Sequence, residues 1–502
     1  MKIQQFLEHH GIASNPFADE DAQTDRVFKA ACIHSTYHPT WDKIYGDPGD
    51  PATAVVFGEK GSGKTALRLQ IVDHLAAYNA DHPHHQAFVV QYDDFNAFLD
   101  RLRDRFSGRK RKAEKALEQW RLWDHIDAIL SLGVTQLVDR LLEVKQARHP
   151  AARDEALPAT ELDAAHVRDV MLLAACYDQS TAENPLVRWN RLRKKLRFPI
   201  WKSFLDLTLG IGVSVVAVAL VFWLAWRGTF GLQGTTWFFI ALIVIAAGWL
   251  PFLWRLAKWQ YKAMKIVGNT RVLNHPIGLL RRIFMKFPAG QIVGQPLPSH
   301  PRTDDRYELL AKLQGVLRAM KIEGILVLVD RVDEPYLING STELMRLLVW
   351  PMLDNKFLKH PGLGLKLLLP IELERLIDRE DREFHQRSRL DKQNLIRSLA
   401  WTGQSLYDVA SARIKACSTD GQTSGLSQLF QPEVTPQRLM SAFAGLRVPR
   451  HLFKFMYRLF TEHCNSHTDE NPAWQISSGT FEAVLAVYQR DQDAFDRGVG
   501  AG

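Results

Sequence analysis

Cysteine is scarce in this 502-residue sequence: Cys32, Cys176, Cys417 and Cys464 are all there is, and no two stand at CxxC or another metal-ligand spacing. Nothing in that spacing supports a disulfide framework or a zinc site, so the four read as thiols of a reducing compartment. Residues Met1 to His10 hold no basic-then-apolar run, and no secretory signal peptide is expected. Neither charge sign dominates. Lys and Arg number 63 against 55 Asp and Glu, a formal net charge of +8. That balance permits nucleic acid or anionic lipid as a partner and demands neither. The length exceeds one ordinary core, so two or three domains are expected.

The most informative stretch is Gly58-Glu59-Lys60-Gly61-Ser62-Gly63-Lys64-Thr65. It fits the P-loop pattern of Gly, four residues, then Gly-Lys-Ser/Thr. The β-branched run Thr53–Phe57 precedes it as a buried strand, and Ala66–Val72 follows with helical spacing of its apolar residues. Strand, Gly-rich turn and helix form the setting in which backbone N–H groups wrap a phosphate. Gly58, Glu59, Lys60, Gly61, Ser62, Gly63, Lys64, Thr65 and Ala66 are the candidate cofactor-binding residues. Lys64 is placed to reach the β- and γ-phosphates, and the Thr65 hydroxyl to ligate Mg2+.

Upstream, Asn15-Pro16-Phe17 admits two readings: a segment packed near a nucleotide base, or a capped surface turn. Ala87–Tyr92 reads as a second strand ending in Asp93 and Asp94. Either acid stands where ligands bind in open α/β sheets, or caps the helix that follows. From 97 to 200 the pattern is helical and charged. Arg101, Arg103, Arg105, Arg109, Lys110, Arg111, Lys112 and Lys115 form a basic cluster there, which reads either as a contact for nucleic acid or lipid headgroups or, as is more common for such runs, as a solvated helix face. Ala147 to Thr160 reads as a linker.

Two long apolar runs come next. Leu207–Trp226 holds 20 residues without a charge, and Gly228–Trp254 holds 27. About 20 helical residues cross the hydrocarbon core of a bilayer. The join, Gly228 to Gly234, is Gly-rich, so the pair reads as a transmembrane helical hairpin. Arg188, Arg191, Arg193, Lys194, Lys195, Arg197 and Lys202 precede it, and Arg255, Lys258, Lys262 and Lys265 follow, whereas the turn carries only Arg227. The positive-inside rule then puts both termini in the cytoplasm, with two spans. Trp201, Phe204, Trp254 and Trp259 mark one interface, and Trp223, Trp226, Phe230 and Trp237 the other. The basic flanks would attract anionic lipid. This accounts for much of the positive charge, which leaves nucleic acid disfavoured though open. Neither span has a central ionisable residue, so no ion pathway is indicated.

Ile325–Val329 is an apolar strand running into Asp330, a Walker B pattern. That strand is expected beside the Gly58 strand, with Asp330 near Mg2+ through water or through Thr65. Asp333 and Glu334 follow, and either one would orient an attacking water. Gly364–Pro370 reads as a further strand, with Glu372 the nearest candidate for a γ-phosphate sensor. Arg375, Arg379, Arg382, Arg387 and Arg389 offer an arginine finger or simply a charged surface. Gly445–Leu452 opens a helix in which Arg450 would meet a phosphate from the lid side, or only cap and pack.

The order of Walker A at 58–65, a membrane hairpin at about 205–254 and Walker B at 325–330 resembles the KAP family of P-loop NTPases. In that family transmembrane helices are inserted between the two motifs. Gly445-Leu446-Arg447-Val448-Pro449-Arg450 is similar to the sensor-2 region of AAA+ and STAND-type ATPases, and the likeness covers roughly 50–460. The resemblance implies an α/β fold. Its parallel sheet, with helices on both faces, is interrupted by the hairpin and followed by a C-terminal helical lid. The expected boundaries are an N-terminal segment at 1–50, core at 51–96, helical insertion at 97–203, hairpin at 204–254, second core part at 255–415 and helical domain at 416–502. It implies Mg-ATP as cofactor and substrate, an assembly or conformational switch driven by binding or slow turnover, and a possible homo-oligomer. Lys64, Asp333 and Glu334 would be catalytic, Thr65 and Asp330 metal-binding, and Arg450 nucleotide-binding. One departure stands out. The family's second acid directly after the Mg2+ aspartate is Arg331 here, which makes binding a firmer expectation than hydrolysis. No Asn-Lys-x-Asp guanine-reading motif follows Asp330, which favours ATP over GTP.

Overall fold

The computed structural model describes residues 1–143, 162–227, 234–419 and 425–496. The expected linker at 147–160 and most of the expected hairpin turn, 228–233, lie outside the described residues. The chain divides into two compact units, Met1–Asp93 with Gly324–Gly502, and Asp94–Glu323. Residues 255–323 therefore group with the helical insertion and the hairpin rather than with the sheet, where the sequence reading put them.

The first unit is built on five strands: β1 (Ala54–Gly58), β2 (Gln86–Tyr92), β3 (Ile322–Val329), β4 (Leu363–Pro370) and β5 (Asn394–Ile396). They form one parallel sheet in the order β2-β3-β4-β1-β5. Val55 pairs with Leu367 on one side and Leu395 on the other, and Val327 pairs with Leu365. Strands buried on both faces read as continuous apolar runs, which is why β1, β3 and β4 are so legible. On one face Ala54, Val56, Leu326, Leu328 and Leu368 pack with Leu67, Ile71 and Leu75 of the helix Lys64–Asp81. On the other, Val55, Phe57, Val327, Val329, Leu367 and Leu369 are equally buried, and the helix Ile371–Ile377 packs on β1 and β4. The sheet corrects one expectation: β3 is not beside β1, because β4 lies between them. The three-residue β5 has no sequence signal of its own.

A second core in the same unit gathers the helices Gly403–Cys417, Pro436–Leu446, Pro449–Asn465 and Ser478–Asp496. Phe6, Leu7, Ile12 and Phe17 from the chain's start are buried in it. The segments expected at 1–50 and 416–502 thus share one core.

The unit 94–323 is helical among its described residues. Its interior holds ion pairs rather than apolar side chains alone. Arg306 and Asp127 are both fully buried at 3.0 Å, and the Tyr177 hydroxyl donates to the same carboxylate at 2.8 Å. Arg188 bridges Asp139 (2.6 Å) and Asp178 (2.7 Å). Breaking such a pair from one side leaves an uncompensated buried charge. Part of the basic cluster at 101–115 is internally spoken for, by Arg103–Asp100, Arg111–Asp104 and Lys115–Glu118.

Two helices in this unit, within Trp201–Trp226 and Thr236–Asn269, are long and apolar enough to cross a membrane. Only 11% and 6% of their most apolar windows is buried by the protein, which separates them from soluble core helices. They pack closely on each other. The Trp249 indole donates to Ser214 Oγ at 3.0 Å, and a Cβ on Gly248 would stand 2.7 Å from Val213. At one end Arg255 pairs with Asp206 at 3.1 Å. The second helix runs on to Asn269, well past the Trp254 that ends the apolar run.

Lys366 in β4 is fully buried, and its ammonium donates to the carbonyls of Tyr45 (2.9 Å) and Ala52 (2.8 Å). Burial pulls its pKa down to about 8. Between about pH 8 and the ordinary lysine range the unfolded chain therefore binds more protons than the folded one, so stability rises with pH there. Denaturant melts of wild type and Lys366→Met at pH 7, 8, 9 and 10 should diverge above pH 8. Wild type should gain up to about 1.4 kcal/mol per pH unit. Curves that stay parallel would remove the linkage.

Candidate functional site

β1 ends at Gly58, and the helix Lys64–Asp81 starts six residues later. The turn between them requires left-handed backbone at Gly61 (φ +89) and Gly63 (φ +93). Gly63 is the N-cap of the helix, and no side chain caps it. The first N–H groups of a helix have no intrahelical acceptor. Those of Lys64, Thr65 and Ala66 therefore face the concave side of the loop with the positive end of the helix dipole behind them. Lys64 folds back over the loop, donating to the carbonyls of Gly58 (2.8 Å) and Glu59 (3.0 Å). Burial, with the Arg450 charge, draws the Lys64 ammonium below its ordinary range. Asp330, Asp333 and Glu372 pull the other way.

Asp330 follows β3 and is buried. Its Oδ2 accepts the Thr65 hydroxyl at 3.1 Å and stands 3.3 Å from the Arg68 Nε, while Oδ1 accepts the Arg331 N–H at 2.9 Å. The contact with Thr65 is the one anticipated, made across the intervening β4. Burial raises the Asp330 pKa, against the Arg68 charge and these hydrogen bonds. Arg68 also pairs with Asp93 and donates to Gln91 at 3.1 Å. Asp93 is thereby held by a guanidinium, and Asp94 accepts the Asn96 N–H at 3.1 Å, as a helix-start residue does. Arg68 carried no motif, and only its place one turn after Thr65 could have pointed to it.

Asp333 and Glu334 line the same cleft as Lys64 and Thr65. Arg331 takes a left-handed conformation (φ +60) and lies 3.4 Å from the Glu334 carboxylate. Burial raises the Glu334 pKa, Arg331 opposes it, and Asp333, Asp330 and Asp21 add to it. Arg450 comes to the loop as well. Its N–H donates to the Gly61 carbonyl at 3.3 Å, and its side chain lines the cleft. Glu372 is exposed and does not line the cleft, and Arg375, Arg379, Arg382, Arg387 and Arg389 are likewise exposed and away from it.

The cleft has a volume of about 190 Å³. Its far wall comes from residues outside the Gly58–Thr65 and Ile325–Asp330 motifs. Trp401 donates from its indole to the Ser62 carbonyl at 2.8 Å. Arg413 donates to the Pro16 carbonyl (2.6 Å) and to Asp25 (2.6 Å), and lies over the Phe453 ring. Those bonds bring Glu20, Asp21 and Phe28 to the opening. Phe17 itself is neither at the cleft nor on the surface: it is core, against Phe453 and Phe460. Comparisons with protein-family models, curated proteins and solved structures return no match for the chain.

A Cβ on Gly61 would lie 2.5 Å from the Arg450 Cβ and would also have to tolerate the positive φ. Gly61→Ala should therefore lose roughly 1–3 kcal/mol of stability and displace Arg450. A denaturant melt checks the first, and an unchanged midpoint would mean that the loop adopts another shape.

Proposed function

We propose that the chain is a membrane-anchored P-loop ATPase of KAP type that binds Mg-ATP and couples it to a conformational or assembly switch. The observation that carries this reading is the uncapped helix start at Lys64–Ala66, behind two left-handed glycines, with Thr65 bonded to the Asp330 carboxylate. Such a start is a receptor for an anionic phosphate chain. Lys64 already donates to two neutral carbonyls, and phosphate oxygens are better acceptors for the same ammonium. Thr65 and Asp330 are the residues that would hold Mg2+. The ion would supply charge neutralisation between β- and γ-phosphate oxygens. Asp333 or Glu334 would orient the water, and the raised Glu334 pKa makes that carboxylate the stronger base of an ordinary pair. Arg450, at the loop from the helical side, would sense the phosphate chain. The hairpin would anchor the chain with both termini cytoplasmic, since the basic flanks lie at its two outer ends.

A second reading, a nucleotide-gated scaffold with little turnover, also has an observation behind it. The carboxylate best placed for water activation, Glu334, faces the Arg331 guanidinium at 3.4 Å. A carboxylate paired with a cation has to leave that pair before it can take a proton from water.

Binding and turnover of Mg-ATP by the purified full chain separate the readings. Lys64→Ala should weaken binding by roughly 10–100-fold, the worth of one hydrogen bond to a charged group. Glu334→Gln should leave binding in place and abolish turnover. Wild-type hydrolysis no higher than that of Lys64→Ala would leave only the scaffold, and absence of binding would end both. Size measurement in detergent with a slowly hydrolysed ATP analogue tests the assembly switch. A nucleotide-dependent shift from monomer to a larger species is expected, and an unchanged size argues against it.

A further inference from the structure

Arg193, Asn190 and Trp189 lie on the helix Pro185–Lys195, with Arg193 one turn beyond Asn190 on the same face. Asn190 accepts the Lys286 ammonium at 2.7 Å, and Lys286 also lies over the Trp189 ring. Arg193 thus shares a helix face with the group that holds Lys286. Among the described residues neither cation is paired with a carboxylate, and the Arg193 Nε is buried without a hydrogen-bond acceptor. Like charge and burial together lower the Lys286 pKa. The Arg193 carbonyl accepts the Phe198 N–H, and the Phe198 ring packs on Phe287 at 5.3 Å.

A third cation is bonded to the backbone on either side of Lys286. Arg255 is only 8% exposed, and it donates to the carbonyls of Met285 (3.0 Å) and Phe287 (2.7 Å), which flank Lys286. It donates to the Ser203 carbonyl as well, at 2.8 Å. Among the described residues its carboxylate partner is Asp206, and its Nε is a further buried donor without an acceptor. Arg193 and Arg255 each keep a buried N–H without an acceptor, and a buried donor of that kind is satisfied by an anion. Arg255 ends the apolar stretch of the second long helix and Asp206 begins that of the first. Exposed apolar residues occur on the helix of Arg193 and next to Ser203 in the chain: Val187, Trp201, Phe204 and Leu205 are 54%, 64%, 44% and 55% exposed.

We propose that Arg193, Lys286 and Arg255 bind the phosphodiester of an anionic phospholipid at the basic end of the hairpin. The inference rests on the membrane-anchored reading. The exposed apolar rim selects a lipid over a free phosphate, because a soluble anion has no use for Trp201 and Phe204. The site differs from a diffuse basic collar in that its cations are partly buried and fixed by backbone carbonyls and Asn190.

Native mass spectrometry of the full chain in neutral detergent, titrated with phosphatidylglycerol or phosphatidylcholine, reads the site. Wild type should retain one phosphatidylglycerol at least about tenfold more tightly than phosphatidylcholine. Arg193→Gln with Lys286→Gln should abolish that preference, while Lys194→Gln with Lys202→Gln, at exposed positions, should keep it. Arg255 is left intact because it also ties the two helices. Loss of the preference only in the exposed-lysine variant, or none in wild type, would overturn the proposal. So would millimolar inorganic phosphate displacing the lipid, which would make the site one for a soluble anion. Release of the chain from membranes by alkaline carbonate would instead overturn the membrane-anchored reading itself. Mg-ATP binding by the Arg193→Gln, Lys286→Gln variant should stay at the wild-type level, which reports an intact fold.

Discussion

The Asp330 carboxylate is the constraint on which the sheet's carboxyl edge depends. It is buried, and a buried carboxylate is tolerated only when it is paired and hydrogen-bonded. Its partners come from two places: Thr65 and Arg68 on the helix after β1, and the Arg331 N–H beside it. Arg68 then continues to Asp93 after β2. One guanidinium and one hydroxyl so fix the ends of β2 and β3 to the start of the helix that follows β1. The tie crosses β4, which contributes no polar group at that edge because it ends in Pro370. If Arg68 were neutral, two carboxylates would be left to face each other with only Thr65 between them. The buried cation makes the acid cluster possible before any metal arrives.

That same arrangement sets limits on chemistry. Asp330 spends part of its charge on Arg68, so a divalent ion at Thr65 and Asp330 would meet a carboxylate already partly neutralised. Lys64 faces the opposite situation. Its acceptors are two carbonyls, and Arg450 adds a like charge nearby. An incoming polyphosphate would relieve that burden rather than break an ion pair. Arg331 and Glu334 repeat the theme one turn further on, with a strained backbone at Arg331 holding the cation beside the acid. Among the described residues the cations at the loop, Lys64 and Arg450, have no carboxylate hydrogen bond to give up to an anion, whereas Glu334 would have to loosen its pairing with Arg331 to meet a water.

How much of this could be read from the sequence follows from where the determinants lie. The Gly58–Thr65 turn, β1 to β4 and the two long apolar helices were legible because each is local: a spacing, a β-branched run, a length without charge. Asp330 was legible for the same reason, and its bond to Thr65 followed from its type. What escaped was set by long-range packing. β5 is three residues long and takes its pairing from β1. The placement of β4 between β1 and β3 is topology, which a pattern of apolar residues does not encode. Phe6, Leu7 and Phe17 join a core made by residues more than 380 positions away. Arg68 and Arg413 act through geometry, and nothing in their neighbours' identities marks them. The Arg375–Arg389 series illustrates the reverse: residue types suited to a role, at exposed positions that do not line the cleft.

The position of the insertion has its own physical logic. β2 and β3 are adjacent and parallel, so the chain between them has to return from the carboxyl edge of the sheet to its amino edge. A crossover of about a dozen residues suffices for that, yet here the whole unit Asp94–Glu323 occupies it. Were the connection flexible, a roughly twentyfold lengthening would cost about 2.5 kcal/mol of closure entropy, because the cost grows only with the logarithm of length. A folded insertion costs less, since its own core holds most of those residues in place. The buried pairs Arg306–Asp127 and Arg188–Asp178 give the inserted unit an interior of its own. A parallel crossover is therefore a place where two long apolar helices and the helices packed with them can be inserted at little entropic cost to the sheet that carries the Gly58–Thr65 turn.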